Sequence, residues 1–307
     1  MDTFNPYCRN FGIMIAVDLG SNTIRFVEYD GKEWGKSFEK IVKTAESLHE
    51  TGRIGNNALN RILSALDEAR NHFDWTSVPV RAYATAAMRL ASNSADILEE
   101  IYRHSGIRFE IIDGVREADL TLKAVRYRLK VLGASPRSFV MADIGGGSTE
   151  VICVDRESVH SCSLNKGIVT MYESTRSRQE LDERMEEFAD EVRQAVTPPP
   201  ESLFVLTAGT PTTMAAYLLG MDYETYDPER INGFVLSREG CQKVHKELLA
   251  MDEAQRIRYV GVGREGLIGA GILMVEALYT ALGYEEAVII DDSLREGIAL
   301  DFFETVL

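Results

Sequence analysis

Proline is sparse, with eight in 307 residues, and no long polar tract interrupts the chain. Disorder and fibrous architectures are therefore excluded for most of its length. Cysteine is scarce: Cys8, Cys153, Cys162 and Cys241 form no C-x-x-C pair. With no secretory leader, these are expected to be reduced, buried or incidental thiols of a cytoplasmic protein. The five histidines, at 49, 72, 104, 160 and 245, show no metal-ligand spacing. Long hydrophobic runs are also missing. Phe11 to Val17 stops at Asp18, and Leu267 to Val275 lies between Glu265 and Glu276. The first is too short for a signal segment or a membrane span, and the second reads as a buried helix. Basic charge is in deficit: 33 Lys and Arg face 48 Asp and Glu, a net charge of −15. Such a field repels duplex nucleic acid and anionic membranes, so neither is expected as a partner. A small polyanion is still admissible if a few placed cations, with a divalent metal, meet it.

The chain is 45% apolar and 26% charged, close to the globular average. Its length predicts about two domains, with a core that needs no disulfide or structural metal. Periodicity gives strands at 12–17, 24–29 and 33–40, with Asp30-Gly31 as the hairpin turn between the last two. Helices are expected over 57–73, 94–104 and 116–132, with strands at 78–84 and 107–112 between them. After Pro136 a second cycle begins. Strands are expected at 139–142, 149–154, 159–164, 203–207 and 287–290. Helices are expected at 179–196, 212–219, 237–250, 265–282 and 294–304. This order fits two α/β halves better than a single alternating barrel.

The two halves share a motif. The segment from Asp18 to Asp30 aligns without a gap on that from Asp143 to Asp155, 125 residues later. Asp, Gly and the final Asp coincide, Thr23 falls on Ser148, and Phe26-Val27 falls on Val151-Ile152. Each copy reads strand, Asp-x-Gly turn, strand. Glycine-rich turns let successive amides converge on an anion, and hydroxyls add donors. Ser21, Asn22 and Thr23 in the first turn, and Gly145, Gly146, Gly147, Ser148 and Thr149 in the second, are therefore candidate phosphate ligands. An ionised aspartate would repel phosphate, so Asp18 and Asp143 are better suited to holding a magnesium ion. Turn capping is the structural alternative for both.

Six segments, in order, carry a family resemblance. They are Asp18-Leu-Gly-Ser-Asn-Thr, Thr85-Ala-Ala-Met-Arg89, Gly114-Val-Arg-Glu-Ala118, Asp143-Ile-Gly-Gly-Gly-Ser-Thr-Glu150, Ala208-Gly-Thr-Pro-Thr-Thr213 and Leu294-Arg-Glu-Gly297. From about Ile13 to Phe302 the chain resembles the exopolyphosphatase / guanosine pentaphosphate phosphohydrolase (Ppx/GppA) family, in its short two-domain form. The resemblance implies an α/β fold of two actin-like (ribonuclease H-like) domains around a central cleft, within the actin, sugar-kinase and Hsp70 ATPase superfamily. Residues 1–122 plus 290–307 would form the first domain and 123–289 the second. It implies release of terminal orthophosphate from inorganic polyphosphate or guanosine pentaphosphate, with magnesium or manganese as cofactor. By the same resemblance Glu117 is the catalytic base, Arg89 the phosphate-binding arginine, and Asp143 and Glu150 the metal-binding and catalytic carboxylates. Asp18 is their counterpart in the first half. Glu150 follows Ser148 by two residues, which aims its carboxylate to the same side of the strand.

Arg25 and Arg295 are weaker phosphate candidates; Arg25 stands where the second half has Glu150. Lys166 and Arg264 are cleft possibilities only. Two departures bear on substrate preference. Arg116 replaces the first of the family's paired glutamates and would put a cation beside Glu117. Asp292, in the run Asp291-Asp292-Ser293, would disfavour a long anionic chain or add metal affinity. The chain's apparent end after the last helix and its acidity favour short polyphosphate or a nucleotide 5′-triphosphate. Two other functions stay open: an ATP-dependent kinase or ATPase of the same fold, and a non-catalytic sensor of alarmone or polyphosphate. A homodimer is also left open.

Overall fold

The computed structural model describes residues 12–306. The first half contributes β1 (Met14–Leu19), β2 (Thr23–Tyr29), β3 (Trp34–Ile41), α1 (Leu48–Thr51), α2 (Asn56–Ala69), β4 (Val80–Ala84), α3 (Ala86–Leu90), α4 (Ser94–Ser105), β5 (Phe109–Ile111) and α5 (Gly114–Val131). The second contributes β6 (Ser138–Ile144), β7 (Thr149–Asp155), β8 (Ser158–Leu164), α6 (Ile168–Glu173), α7 (Arg178–Ala195), β9 (Leu203–Thr207), α8 (Gly209–Leu218), α9 (Pro228–Ile231), β10 (Val235–Ser237), α10 (Arg238–Ala250), α11 (Glu253–Val260), α12 (Ile268–Leu282) and β11 (Glu286–Ile289). Helix α13 (Leu294–Val306) ends the chain.

The strand orders show the duplication. One sheet runs β3-β2-β1-β4-β5 and the other β8-β7-β6-β9-β11, with β10 added at its edge. In both, the first three strands are antiparallel and the next two join in parallel. The central strands β1 and β6 are buried on both faces, and their side chains divide by parity. Ile15, Val17 and Leu19 pack with the outer helices α2 and α4, while Met14 and Ala16 pack with α13. In the same way Val140, Ala142 and Ile144 face α7 and α12, and Phe139 and Met141 face α5. The apolar run from Leu267 is the buried helix α12, as its sequence predicts.

Helix α5 ties the sheets together. Leu120 joins the core under β1 and α13, while Ala118, Leu122, Val125 and Leu129 join the core under β6 and β7. The boundary expected after residue 122 thus falls inside an unbroken helix that serves both sheets. Helix α13 lies directly on α5. A Cβ on Gly297 would collide with the Leu120 carbonyl oxygen, so only glycine permits that approach.

Several boundaries move from those expected. Strand β1 begins at Met14, not Gly12, and α8 begins at Gly209, three residues before Thr212. Proline is tolerated in a first helical turn, where its missing N–H has no partner to lose, so Pro211 does not delay the helix. Helix α12 starts at Ile268 because a turn with Gly261 and Gly263 at positive φ precedes it. Helices α1, α3, α6, α9 and α11 and strand β10 have no counterpart in the sequence reading; the helices are one or two turns long, the strand has three residues, and all are held by tertiary packing. Cys153 and Cys241 are buried and Cys162 half-buried, all as free thiols; Cys8 and the start of the Phe11 run lie outside the described residues. Among the described residues no helix is long and apolar enough to cross a membrane.

Candidate active site

The two Asp-x-Gly turns have one design. Gly20 N–H donates to the Thr23 carbonyl at 2.9 Å, and Gly145 N–H donates to the Ser148 carbonyl at 2.9 Å, 125 residues on. The turns also meet. A Cβ placed on Gly147 would lie 2.6 Å from Ser21 Oγ. A cavity of about 120 Å³ opens where they face each other. Asp18, Ser21, Asn22, Thr23, Arg25, Thr85, Glu117, Asp143, Gly145, Gly146, Gly147, Ser148, Arg264 and Ser293 line it, with the α8 start at Ala208–Gly209. Among the described residues, the amides of Ser21, Asn22, Gly146 and Gly147 have no backbone acceptor. Free amides converging from both halves form an anion-binding concavity. Ala208 holds φ 79° and ψ 177°, strained backbone for a residue with a Cβ.

Strand register sets the charged groups. Asp18 stands opposite Arg25 on β2, which stands opposite Glu39 on β3. Asp143 stands opposite Glu150 on β7, which stands opposite Ser163 on β8. Directly opposed residues share a sheet face, so each sheet carries a polar row. Glu150 is 1% exposed and accepts a 2.8 Å hydrogen bond from Ser163 Oγ. Glu117 enters from the first turn of α5, whose Asp113 N-cap accepts the Arg116 amide. Arg89 Nη1 donates to Glu117 Oε2 at 2.6 Å and to the Ile112 carbonyl at 2.9 Å, and the Thr85 hydroxyl also bonds Glu117.

Four carboxyls therefore gather with few cations. Burial pushes the Asp18 carboxyl up to about 7; Arg25 opposes this, and Glu117 and Asp143 reinforce it. Burial raises Glu117 to about 7 against the pull of Arg89. Glu150 rises to about 8 through burial and the neighbouring Glu117 and Asp143 charges. Asp143 is raised by burial and restrained by Arg25 and a Thr121 hydrogen bond. Burial without enough countercharge is the shared cause. Among the described residues no three His, Cys, Asp or Glu side chains form a ready metal-ligand group. Asp18 Oδ1 is nonetheless buried and without a hydrogen-bond partner. Magnesium binds through one or two carboxylates, keeping waters and taking phosphate oxygens. An orphaned aspartate oxygen among raised carboxyls fits that requirement.

Other candidates stand elsewhere. The Thr149 hydroxyl donates to the Lys166 carbonyl, and Lys166 pairs with Glu191 and Glu187 on α7; neither lines the cavity. Arg295 lies beyond it, held by Glu296 and Asp291. Arg116 pairs with Asp301 and Asp119, so it braces α5 against α13 and is not spent on Glu117. Asp292 is 3% exposed and bound by Arg128 and Asn232; it does not line the cavity, although Ser293 beside it does. Both departures are thus structural ion pairs. Thr85, Thr121 and Glu39 were not read as site residues from sequence; only Thr85, inside a quoted segment, left a signal there.

The profile of the Ppx/GppA phosphatase family matches residues 36–305. The chain belongs to this family. Exopolyphosphatase 2 of Mycobacterium tuberculosis is 28% identical over 93% of this chain and 97% of its own length. A guanosine-5′-triphosphate,3′-diphosphate pyrophosphatase of Vibrio vulnificus is 26% identical, covering 95% of this chain and 59% of that protein. The crystal structure of the Aquifex aeolicus Ppx/GppA family member superposes with a TM-score of 0.75 at 26% identity, covering 96% of this chain and 98% of that one. The fold is accordingly the two-domain α/β fold of the actin, Hsp70 and sugar-kinase superfamily, and family membership makes the chain a hydrolase.

Proposed function

We propose that this Ppx/GppA chain releases terminal orthophosphate from inorganic polyphosphate or guanosine pentaphosphate. One observation carries the proposal: two matched phosphate-type turns meet at a cavity that also admits Glu117. The mycobacterial and Vibrio relatives supply the two substrate classes.

The terminal phosphoryl group would sit between the turns, its oxygens on the amides of Ser21, Asn22, Gly146 and Gly147 and on the hydroxyls of Ser21, Thr23 and Ser148. Arg25 would neutralise the following unit. Glu117 would take a proton from a water in line with the terminal phosphorus; a base near the working pH is well matched to this task. Arg89 and Thr85 hold its carboxylate still and keep part of it ionised. Asp18, Asp143 and Glu150 would hold magnesium or manganese, which neutralises phosphoryl oxygen charge. Residues 1–122 with 290–307 and residues 123–289 would act as lobes, with α5 crossing between them, that close to exclude bulk water. Phosphate release by wild type and Glu117→Gln tests the assignment. A loss of about 10²–10⁴-fold is expected, and equal rates would remove Glu117 from the reaction.

A further inference from the structure

Beyond the turns lies a second chamber of about 270 Å³. It shares Arg25, Arg264, Ala208 and Gly209 with the first cavity. The two spaces therefore adjoin, and the two arginines stand at the waist between them, where any passage from one to the other must cross. Glu39 lines the far side only. It ends the polar row of the first sheet, in the place where the second sheet has the neutral Ser163 row end. From there its carboxylate reaches both guanidiniums. Oε2 lies 3.2 Å from Arg25 Nε, and Oε1 accepts from Arg264 Nη2 across the cleft. Burial would raise this carboxyl, but Arg25, then Arg264 and Arg295, outweigh it and hold it at about 2, so it stays anionic.

The third arginine of the chamber is also taken, with Arg295 facing Asp291 and Glu296. The passage thus changes character at its waist. On the turn side, free amides await an anion. On the far side, each cation already has a carboxylate.

We propose that Glu39 sets how many phosphoryl units the cleft accepts, acting as a fixed anion on Arg25 and Arg264 that a longer chain must displace. This rests on the phosphohydrolase function proposed above. A short chain ends at the waist and leaves Glu39 in place. A longer one must break two ion pairs and lie beside an uncompensated carboxylate. Like charges a few ångströms apart in a partly buried site repel by an amount worth tenfold or more in binding.

The test compares wild type and Glu39→Gln on tripolyphosphate and on long-chain polyphosphate, with KM and kcat measured separately. Glutamine keeps the volume and one acceptor. The ratio of KM for long chains to KM for tripolyphosphate should fall about tenfold in Glu39→Gln. In an Arg264→Gln background the same substitution should have an effect of different size, because one of the two ion pairs that a longer chain must break is already gone. An unchanged ratio would overturn the proposal, as would an equal effect in both backgrounds. If wild type releases no phosphate from any substrate, the hydrolase assignment fails and the question passes to binding. Thermal stabilisation by each polyphosphate should then show the same change in preference for long chains, and equal preference in the two proteins would refute the role of Glu39.

Discussion

Replacing Glu150 by Gln should stabilise this protein at alkaline pH and do much less at mildly acidic pH. Glu150 is 1% exposed and its carboxyl is raised to about 8, against about 4.3 in an unfolded chain. The folded state therefore holds this proton over a pH range in which the unfolded state has released it. Stability falls with rising pH wherever the folded state binds more protons. The penalty is absent below about pH 4, grows through the range between the two values, and is complete above about 8. Its size is of order 5 kcal/mol at one unit of pKa per 1.4 kcal/mol. Glutamine is neutral throughout, matches the volume, and keeps an oxygen to accept the Ser163 hydroxyl. Urea unfolding without divalent cations, at pH 5.5 and 8.5, measures the difference. The variant should gain several kcal/mol over wild type at pH 8.5, and the two should differ by about 2 kcal/mol or less at pH 5.5. An equal effect at both pH values would show that the carboxyl is not buried against its neighbours as the structure has it.

The ascending limb of the kcat–pH profile should lie near pH 7, since Glu117 at about 7 must lose its proton to act as base. Arg89→Gln removes the cation that favours the ionised form, so the limb should move to higher pH by about one pH unit; a limb that stays in place would detach Arg89 from the base. Gly297→Ala should cost about 3 kcal/mol in urea unfolding, because the methyl group meets the Leu120 carbonyl and the two helices must separate. A cost below about 0.5 kcal/mol would mean that the contact relaxes freely.

Local sequence carried the architecture further than it carried the site. Strands β2, β7 and β9 fall within a residue of their expected limits, because β-branched runs between glycine turns admit few alternatives. The match between Asp18–Asp30 and Asp143–Asp155 foresaw two strand–turn–strand units of one design; the common sheet order, and the register that sets Arg25 opposite Asp18 and Glu150 opposite Asp143, came from the structure. The short helices α3, α6 and α11 were not legible, because a helix of one or two turns has little intrinsic stability to write into sequence. Arg116 and Asp292 invited a functional role that their partners deny. Those partners, Asp301 and Arg128, lie 185 and 164 residues away along the chain.

The sequence by itself determined the duplicated strand–turn–strand units, the turn chemistry suited to phosphate, and the position of Glu117 in a first helical turn. These depend on backbone geometry and spacing within a few residues. Only the tertiary structure decided that the two turns touch, that four buried carboxyls lie close enough to raise one another, and that Glu39 answers Arg25 and Arg264. Desolvation and Coulomb energy depend on distances through space, and those distances exist only once the two sheets have packed around α5.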